Sequence, residues 1–287
     1  MNFWQTPIET LNSLMQRKAP LLRQIRHRHS IALDREIDID IYLPPDYHLQ
    51  PGKRYPWLIL NDGQDLPVMR FSKIVEKLYY ARQIPQMVVI GIYAGNDRIR
   101  EYGTLRQADY KGRGDRAPQY RDFLLNELLP YLSNRFRLSD AREDAMIAGF
   151  SLGGLSAFDL AWAYPEIFGT VGVFSGALWW RWEPVLDHNP DASRILHDVI
   201  EKTQKPPDQQ YYWLQTGTLD EEDDRNHNGV IDAIDDTLDL IRELKRKNIA
   251  DDCIRYYEVE GGRHEAATWG EAMPDFLRWA LGARNLD

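Results

Sequence analysis

Apolar residues recur with three different spacings along this chain, and each spacing predicts a different element. In REIDIDIYLPP, Ile37, Ile39, Ile41 and Leu43 alternate with Asp38, Asp40 and Tyr42. That period of two marks a half-buried antiparallel strand stopped by Pro44-Pro45, and RQIRHRHSIAL before it reads as its partner. From Tyr55 the pattern changes. PWLILN and QMVVIGIY are short, continuously apolar runs, as expected of strands covered on both faces. Between them FSKIVEKLYYARQ sets Phe71, Ile74, Val75 and Leu78 on one helical face. The alternation continues with a helix around YRDFLLNELLPYLSNRF, where a kink is expected at Pro130. Strand AMIAG, a helix from Leu152, strand TVGVFSG and a helical segment near 191–204 come next. Strand QYYWLQTG, helix DTLDLIRELKRK, strand CIRYYEVEG and terminal helix MPDFLRWALG complete the order. Residues 1–20 read as a peripheral helical segment. The chain contains no repeat and no low-complexity linker. Antiparallel strands leading into βα alternation predict one α/β domain over residues 1–287, a mixed and mostly parallel sheet with helices on both faces.

Composition narrows the function classes. A chain of 287 residues with 43% hydrophobic and 11% aromatic content can bury a sizeable core. The net charge of −9 argues against nucleic acid and anionic membranes as partners, since both attract clustered Lys and Arg. A single cysteine, Cys253, rules out an intrachain disulfide and disfavours a cysteine-type zinc site. The first twenty residues lack a basic start followed by an apolar core, and no run approaches the ~18 apolar residues of a membrane span. The expectation is a cytoplasmic protein; its oligomeric state is left open.

The chemistry begins at AMIAGFSLGGLSAF. Gly149-Phe150-Ser151-Leu152-Gly153 is a G-x-S-x-G sequence between an apolar strand and a helix, the context its mechanics require. Flanking glycines permit a sharp turn that lifts the Ser151 hydroxyl clear of the sheet. The Leu152 backbone N–H then lies at a helix N-terminus, where positive dipole character stabilises an oxyanion. Such a serine needs a histidine base and an orienting carboxylate. His27, His29, His48, His188 and His197 occupy early strand patterns, a turn or a polar stretch. His264 follows the eighth strand pattern and the flexible pair Gly261-Gly262, a position that reaches over the sheet edge. The acid is expected after the preceding strand, which reads as ending near Gly217. Asp220 fits, with Glu221, Glu222, Asp223 and Asp224 as close competitors.

The sequence resembles the esterase family of the α/β-hydrolase superfamily that includes the enterochelin (ferric-siderophore) esterases. The likeness spans roughly residues 35–282 and rests on LILNDGQD, VVIGIY with Arg98-x-x-Glu101, YRDFLLNELLPYL, AGFSLGGLSAF, YPEIFGTVGVFSGALWW, LQTGTLD and GGRHEAATW. The resemblance implies Ser151 as nucleophile, His264 as base and Asp220 as acid, with the Gln64 N–H joining that of Leu152 in the oxyanion hole. It further implies that the Trp179-Trp180 pair walls the pocket and that Arg98 and Glu101 meet substrate at its mouth. A small-molecule ester is the implied substrate, and no organic cofactor is required. Within these 287 residues no counterpart is expected to the separate N-terminal substrate domain of some enterochelin esterases. The chain also shows no basic cluster suited to a ferric-catecholate anion.

One segment is left over. From Asp224 the register Asp224, Asn226, Asn228, Gly229, Val230, Ile231, Asp232, Asp235 matches positions 1, 3, 5, 6, 7, 8, 9 and 12 of a calcium loop. Oxygens at 1, 3 and 5, the Val230 carbonyl, Asp232 and Asp235 would ligate Ca²⁺. Aspartate at position twelve, where glutamate is usual, resembles dockerin-type loops. The expected function is a serine carboxylic-ester hydrolase with a structural Ca²⁺ beside the triad acid. The same triad would serve an acyltransferase, and a non-catalytic calcium-binding protein on a hydrolase scaffold is the reading from a different class.

Overall fold

The computed structural model describes residues 19–282, so the helical segment expected at residues 1–20 lies outside the described residues except for Ala19 and Pro20. The strands are β1 (Leu21–Ser30), β2 (Arg35–Leu43), β3 (Trp57–Asn61), β4 (Val88–Ile92), β5 (Ala145–Phe150), β6 (Thr170–Phe174), β7 (Tyr211–Leu219) and β8 (Ile254–Arg263). They form one sheet in the order β1-β2-β4-β3-β5-β6-β7-β8. β1 pairs β2 and β2 pairs β4 antiparallel; every later pairing is parallel. This is the mixed, mostly parallel sheet of an α/β-hydrolase fold.

The helices are α1 (Phe71–Tyr80), α2 (Arg98–Glu101), α3 (Ala117–Asp122), α4 (Leu129–Arg135), α5 (Leu152–Ala163), α6 (Ile195–Lys202), α7 (Asp232–Arg246) and α8 (Ala266–Gly282). β3 to β6 are buried at every position because two apolar cores sandwich them. One core joins Ile59, Ile90 and Ile147 to Tyr120, Leu128, Leu155, Ile200 and Leu240 from the side of α3 to α7. The other joins Leu58, Val89 and Met146 to Phe71, Val75, Met273 and Phe276 from α1 and α8. Alternate residues of each strand therefore serve opposite cores, which is why the sequence reads as unbroken apolar runs there.

Three boundaries differ from expectation. Between α3 and α4 the chain is π-helical over Phe123–Leu128. Pro130 follows at once, and the wider turn accommodates a residue that lacks an N–H and crowds the carbonyl four residues back. α7 starts at Asp232, four residues before the expected start, and α8 starts at Ala266, ahead of the expected Met273. Among the described residues no helix is long and apolar enough to cross a membrane.

Candidate active site

β5 ends in a strained elbow. Ser151 has φ 55° and ψ −122°, a left-handed backbone that costs a non-glycine residue about 1–3 kcal/mol and persists only where its surroundings hold it. They do so here. The Ser151 N–H donates to the Phe174 carbonyl at 2.8 Å, and the Ser151 carbonyl accepts the N–H groups of Gly154, Leu155 and Ala177 at 3.0, 3.2 and 3.1 Å. The spacing of the glycines has a steric cause. A Cβ on Gly149 would lie 2.3 Å from the Gly153 carbonyl oxygen, and one on Gly153 would lie 2.5 Å from an Asp62 carboxylate oxygen. Leu152 is the first residue of α5, so its N–H has no partner within the helix.

Asp220 and His264 stand at equivalent places on neighbouring strands. The last paired residues of β7 and β8 are Leu219 and Arg263, and each functional candidate is the next residue along. β7 thus runs past Gly217, where it was expected to end, through a register shift between Gly217 and Leu219. The strands touch there, because a Cβ on Gly217 would sit 2.3 Å from the Gly262 carbonyl oxygen. Gly261 and Gly262 belong to β8 and are not a free hinge, the Gly261 N–H donating to Thr218 Oγ1 at 2.7 Å. The Asp220 carboxylate is buried and accepts the Gly217 N–H at 3.0 Å and the Ser175 hydroxyl at 3.0 Å. His264 Nδ1 lies 4.0 Å from Asp220 Oδ1, within ion-pair range but beyond hydrogen-bond length.

The electrostatics of the pair follow from burial. Desolvation moves the His264 imidazole below its ordinary value, with Asp220 opposing and Arg98 adding to the shift. Desolvation moves Asp220 upward, against the Gly217 N–H, Ser175 and His264. The competing acids face elsewhere. Glu221 is pushed up to about 7 by burial and by Asp232, and its hydrogen bond goes to the Ala233 N–H on α7. Glu222 and Asp223 are exposed, and Asp224 turns into the following loop.

The remaining expected contacts sort unequally. Gln64 lies in a 3-10 turn after β3, its side chain accepting the Ala94 N–H at 3.0 Å and donating to Asp62 at 3.2 Å. Arg98 holds both oxygens of buried Asp62 at 2.7 Å, which in turn packs on Gly153 beneath the elbow. Glu101 is buried and not offered to a ligand. It is 1% exposed and receives two hydrogen bonds from Arg35 at 2.7 and 2.6 Å, so its charge is already matched. Trp180 is likewise 1% exposed and belongs to the core, whereas Trp179 is 37% exposed. Arg113 lies over both indole rings, at 5.1 and 4.8 Å from their centroids. Neighbouring residues point to opposite sides, and of the two tryptophans Trp179 is the one offered to solvent.

Two residues escaped the sequence reading. Ser175 follows β6 with φ 45°, and its hydroxyl meets Asp220. The Trp269 indole N–H donates to Ser175 Oγ at 2.9 Å, while its ring stacks on Phe150 at 5.0 Å and meets His264 edge-on at 5.5 Å. GGRHEAATW contains this tryptophan, but nothing in a linear pattern reveals where an indole N–H points.

The acidic loop is organised internally. Asp224 accepts the N–H groups of Asn228 and Gly229 at 3.1 and 2.9 Å, and Asn228 Oδ1 accepts that of Val230 at 2.8 Å. The amides of Asn226 and Asn228 both reach one Asp235 oxygen, at 2.7 and 3.1 Å. Positions 3, 5 and 12 therefore converge, and Gly229 takes φ 86° at the bend. Asp232 is committed differently, accepting the Arg225 N–H at 3.0 Å with the Arg225 guanidinium 3.2 Å away. Among the described residues Asp191, Asp235 and Asp239 bring carboxylate oxygens within 4.8 Å of one another, a grouping able to hold a metal ion. Arg225 already pairs with Asp191 at 2.7 Å and Arg194 with Asp239 at 2.6 Å.

Comparison with known proteins bears on family and fold. A family model described as "Putative esterase" matches residues 30–280. The uncharacterized protein YbbA of Bacillus subtilis is 28% identical over 145 residues, 49% of this chain and 57% of that protein. The iron(III) enterobactin esterase of Escherichia coli K12 is 32% identical over 132 residues, 44% of this chain but 29% of that one. The match thus spans little over half of the first relative's length and under a third of the second's. The crystal structure of enterochelin esterase from Shigella flexneri superimposes with a TM-score of 0.72 at 20% identity, covering 92% of this chain and 59% of that one. That likeness is one of fold.

Proposed function

The chain belongs to the "Putative esterase" family, an esterase assignment carried by residues 30–280, and from that premise we propose a serine carboxylic-ester hydrolase acting through Ser151, His264 and Asp220. What carries the reading is a strained elbow serine on the same sheet edge as a His–Asp pair whose nearest atoms lie 4.0 Å apart. His264 takes the Ser151 proton as the hydroxyl oxygen attacks the ester carbonyl. The Leu152 and Gln64 backbone N–H groups receive the oxyanion, and Asp220 orients the imidazole and stabilises its charged form. The protonated imidazole then gives its proton to the leaving alcohol, and water repeats the sequence on the acyl-enzyme. Because His264 must be neutral to act as base, its lowered value extends activity below the ordinary histidine range. Arg98 stands beside the site, yet Asp62 already takes up its charge, so its part in substrate contact is secondary. A small-molecule ester is the partner; the enterobactin of the named relatives belongs to those proteins. Ser151→Ala is expected to abolish turnover of short p-nitrophenyl esters, and retained turnover sinks the assignment.

We further propose that the loop from Asp224 to Asp235 takes a structural Ca²⁺. The support is the convergence of Asn226 and Asn228 on Asp235, since rotating either amide turns its oxygen toward the same point. The Val230 carbonyl would join them, and Asp232, held by Arg225, would reach the ion through water. The ion supplies no chemistry to acyl transfer; it would offset repulsion among the carboxylates and stiffen the segment after Asp220. EDTA is expected to lower the melting temperature by a few degrees, equivalent to about 1 kcal/mol, with Ca²⁺ restoring it. An unchanged melting temperature together with no calcium in the purified protein would refute the site.

A further inference from the structure

Trp269 is placed to act on both the base and the acid. Its ring meets His264 edge-on and stacks on Phe150, the residue before the nucleophile. Its N–H donates to Ser175 Oγ at 2.9 Å, and the Ser175 hydroxyl is 3.0 Å from Asp220 Oδ1. Indole N–H is a donor only, so the hydroxyl that accepts it has its own hydrogen free for the carboxylate. The direction of the chain is fixed: Trp269 to Ser175 to Asp220. Asp220 Oδ1 is also the oxygen nearest His264 Nδ1, while Oδ2 is occupied by the Gly217 N–H.

We propose that Ser175 and Trp269 are positioning residues that hold Asp220 from behind and moderate how strongly it acts on His264. The inference rests on the triad reading above. Ser175 also adopts φ 45°, a backbone that a serine occupies at a cost. Nothing about sheet pairing requires a hydroxyl there, whereas a rigid donor to the carboxylate does.

The physical consequence has a sign. A donor to a carboxylate draws on its negative charge and shares it away from the imidazole. Removing that donor leaves Asp220 more basic and better able to stabilise the imidazolium. The charged groups facing His264 are Asp220 at the end of β7 and Arg98 on α2, the latter paired with Asp62. Neither Arg98 nor Asp62 contacts Ser175, so their influence is unchanged by substitutions there.

The test is the pH profile of kcat/KM for a p-nitrophenyl ester in Ser175→Ala, Ser175→Gly and Trp269→Phe, alongside their melting temperatures. Trp269→Phe keeps an aromatic ring and loses the N–H. Ser175→Gly relieves the positive φ and is expected to melt no lower than Ser175→Ala. All three should lose about 10- to 100-fold in kcat, with KM little changed, as expected when the acid is no longer held in place. All three should also move the acidic limb to higher pH. A purely structural role predicts instead that activity follows melting temperature and that the limb stays in place; that result, or unchanged kcat, overturns the proposal. If Ser151→Ala or His264→Ala retains turnover, the triad reading has failed. If those two are inactive and the three test variants superimpose on the parent profile, only this inference has failed.

Discussion

Asp220 and Asp236 are both buried carboxylates from one short acidic stretch, and they are satisfied in opposite ways. Asp236 is 1% exposed and takes two arginines, Arg194 and Arg225, each at 2.5 Å. Among the described residues Asp220 has no arginine or lysine partner; a backbone N–H and a hydroxyl hold it, with His264 at 4.0 Å. Arginine pairing consumes a carboxylate's charge and ties elements together. Neutral donors fix a carboxylate in space and draw on its charge only in part, so that most of it remains for the imidazole. On the proposed triad, acidic residues sixteen apart in sequence are assigned to catalysis or to architecture by their partners rather than by their type.

The comparison can be broken by substitution. Asp220→Asn should lower kcat about 10⁴-fold with little change in melting temperature, because the amide presents the wrong charge and favours the wrong imidazole tautomer. Steady-state kinetics with an aryl ester reads this directly, and a loss under tenfold would mean that another group serves as the acid. Asp236→Asn should act the other way round. It leaves Arg194 and Arg225 short of charge in a buried setting and should cost about 3–5 kcal/mol in denaturant unfolding. If the variant folds, its Ser151 should remain competent toward a fluorophosphonate probe.

A third carboxylate sharpens the contrast. Asp159 on α5 is buried with the Leu105 N–H as its hydrogen-bond partner at 2.8 Å, and burial pushes its carboxyl up to about 7. A carboxyl raised above its unfolded value holds its proton longer when folded, so stability falls as pH rises from about 4 toward 7. Asp159→Asn, whose amide oxygen can still accept the Leu105 N–H, should stabilise the protein by a few kcal/mol at pH 8 and by little at pH 4. Equal melting-temperature changes at both pH values would contradict the assigned cause. The smallest effect belongs to Glu222→Gln. This side chain is exposed in the middle of the acidic run, so stability should change by no more than about 0.5 kcal/mol and turnover not at all. A large loss of activity would reopen the choice of triad acid.

The local parts of this arrangement were legible in the sequence. G-x-S-x-G between an apolar run and a helix specifies an elbow because Gly149 meets the Gly153 backbone within five residues, although Gly153 is itself crowded by the distant Asp62. The period-two and continuous apolar patterns revealed the antiparallel start and the doubly covered strands, since alternate side chains must face two cores. Other parts depend on contacts far apart in sequence. Asp220 could not be separated from Glu221 until the fold set Ser175 and His264 beside the one and the Ala233 N–H of α7 beside the other. Glu101 and Trp180 looked available because a motif shows adjacency but not that Arg35 or the core has claimed them. The early start of α8 escaped the sequence reading because Gly270 weakens the helical signal of its opening turns. A Cβ there would lie 3.3 Å from Met69, so the glycine suits the close approach of α8. Ser175 left no signal, as its role depends on an indole ninety-four residues away.

The central claim is that Ser151 is acylated at this sheet edge and deacylated with the help of His264 and Asp220. Its most direct measurement is a rapid-quench reaction of Asp220→Asn with p-nitrophenyl acetate, followed by peptide mass spectrometry. The account predicts an acetyl group on the peptide carrying Ser151, accumulating because deacylation is slowed, and absent when Ser151→Ala is combined with Asp220→Asn. An acetyl group elsewhere, or steady hydrolysis that persists in Ser151→Ala, would contradict it.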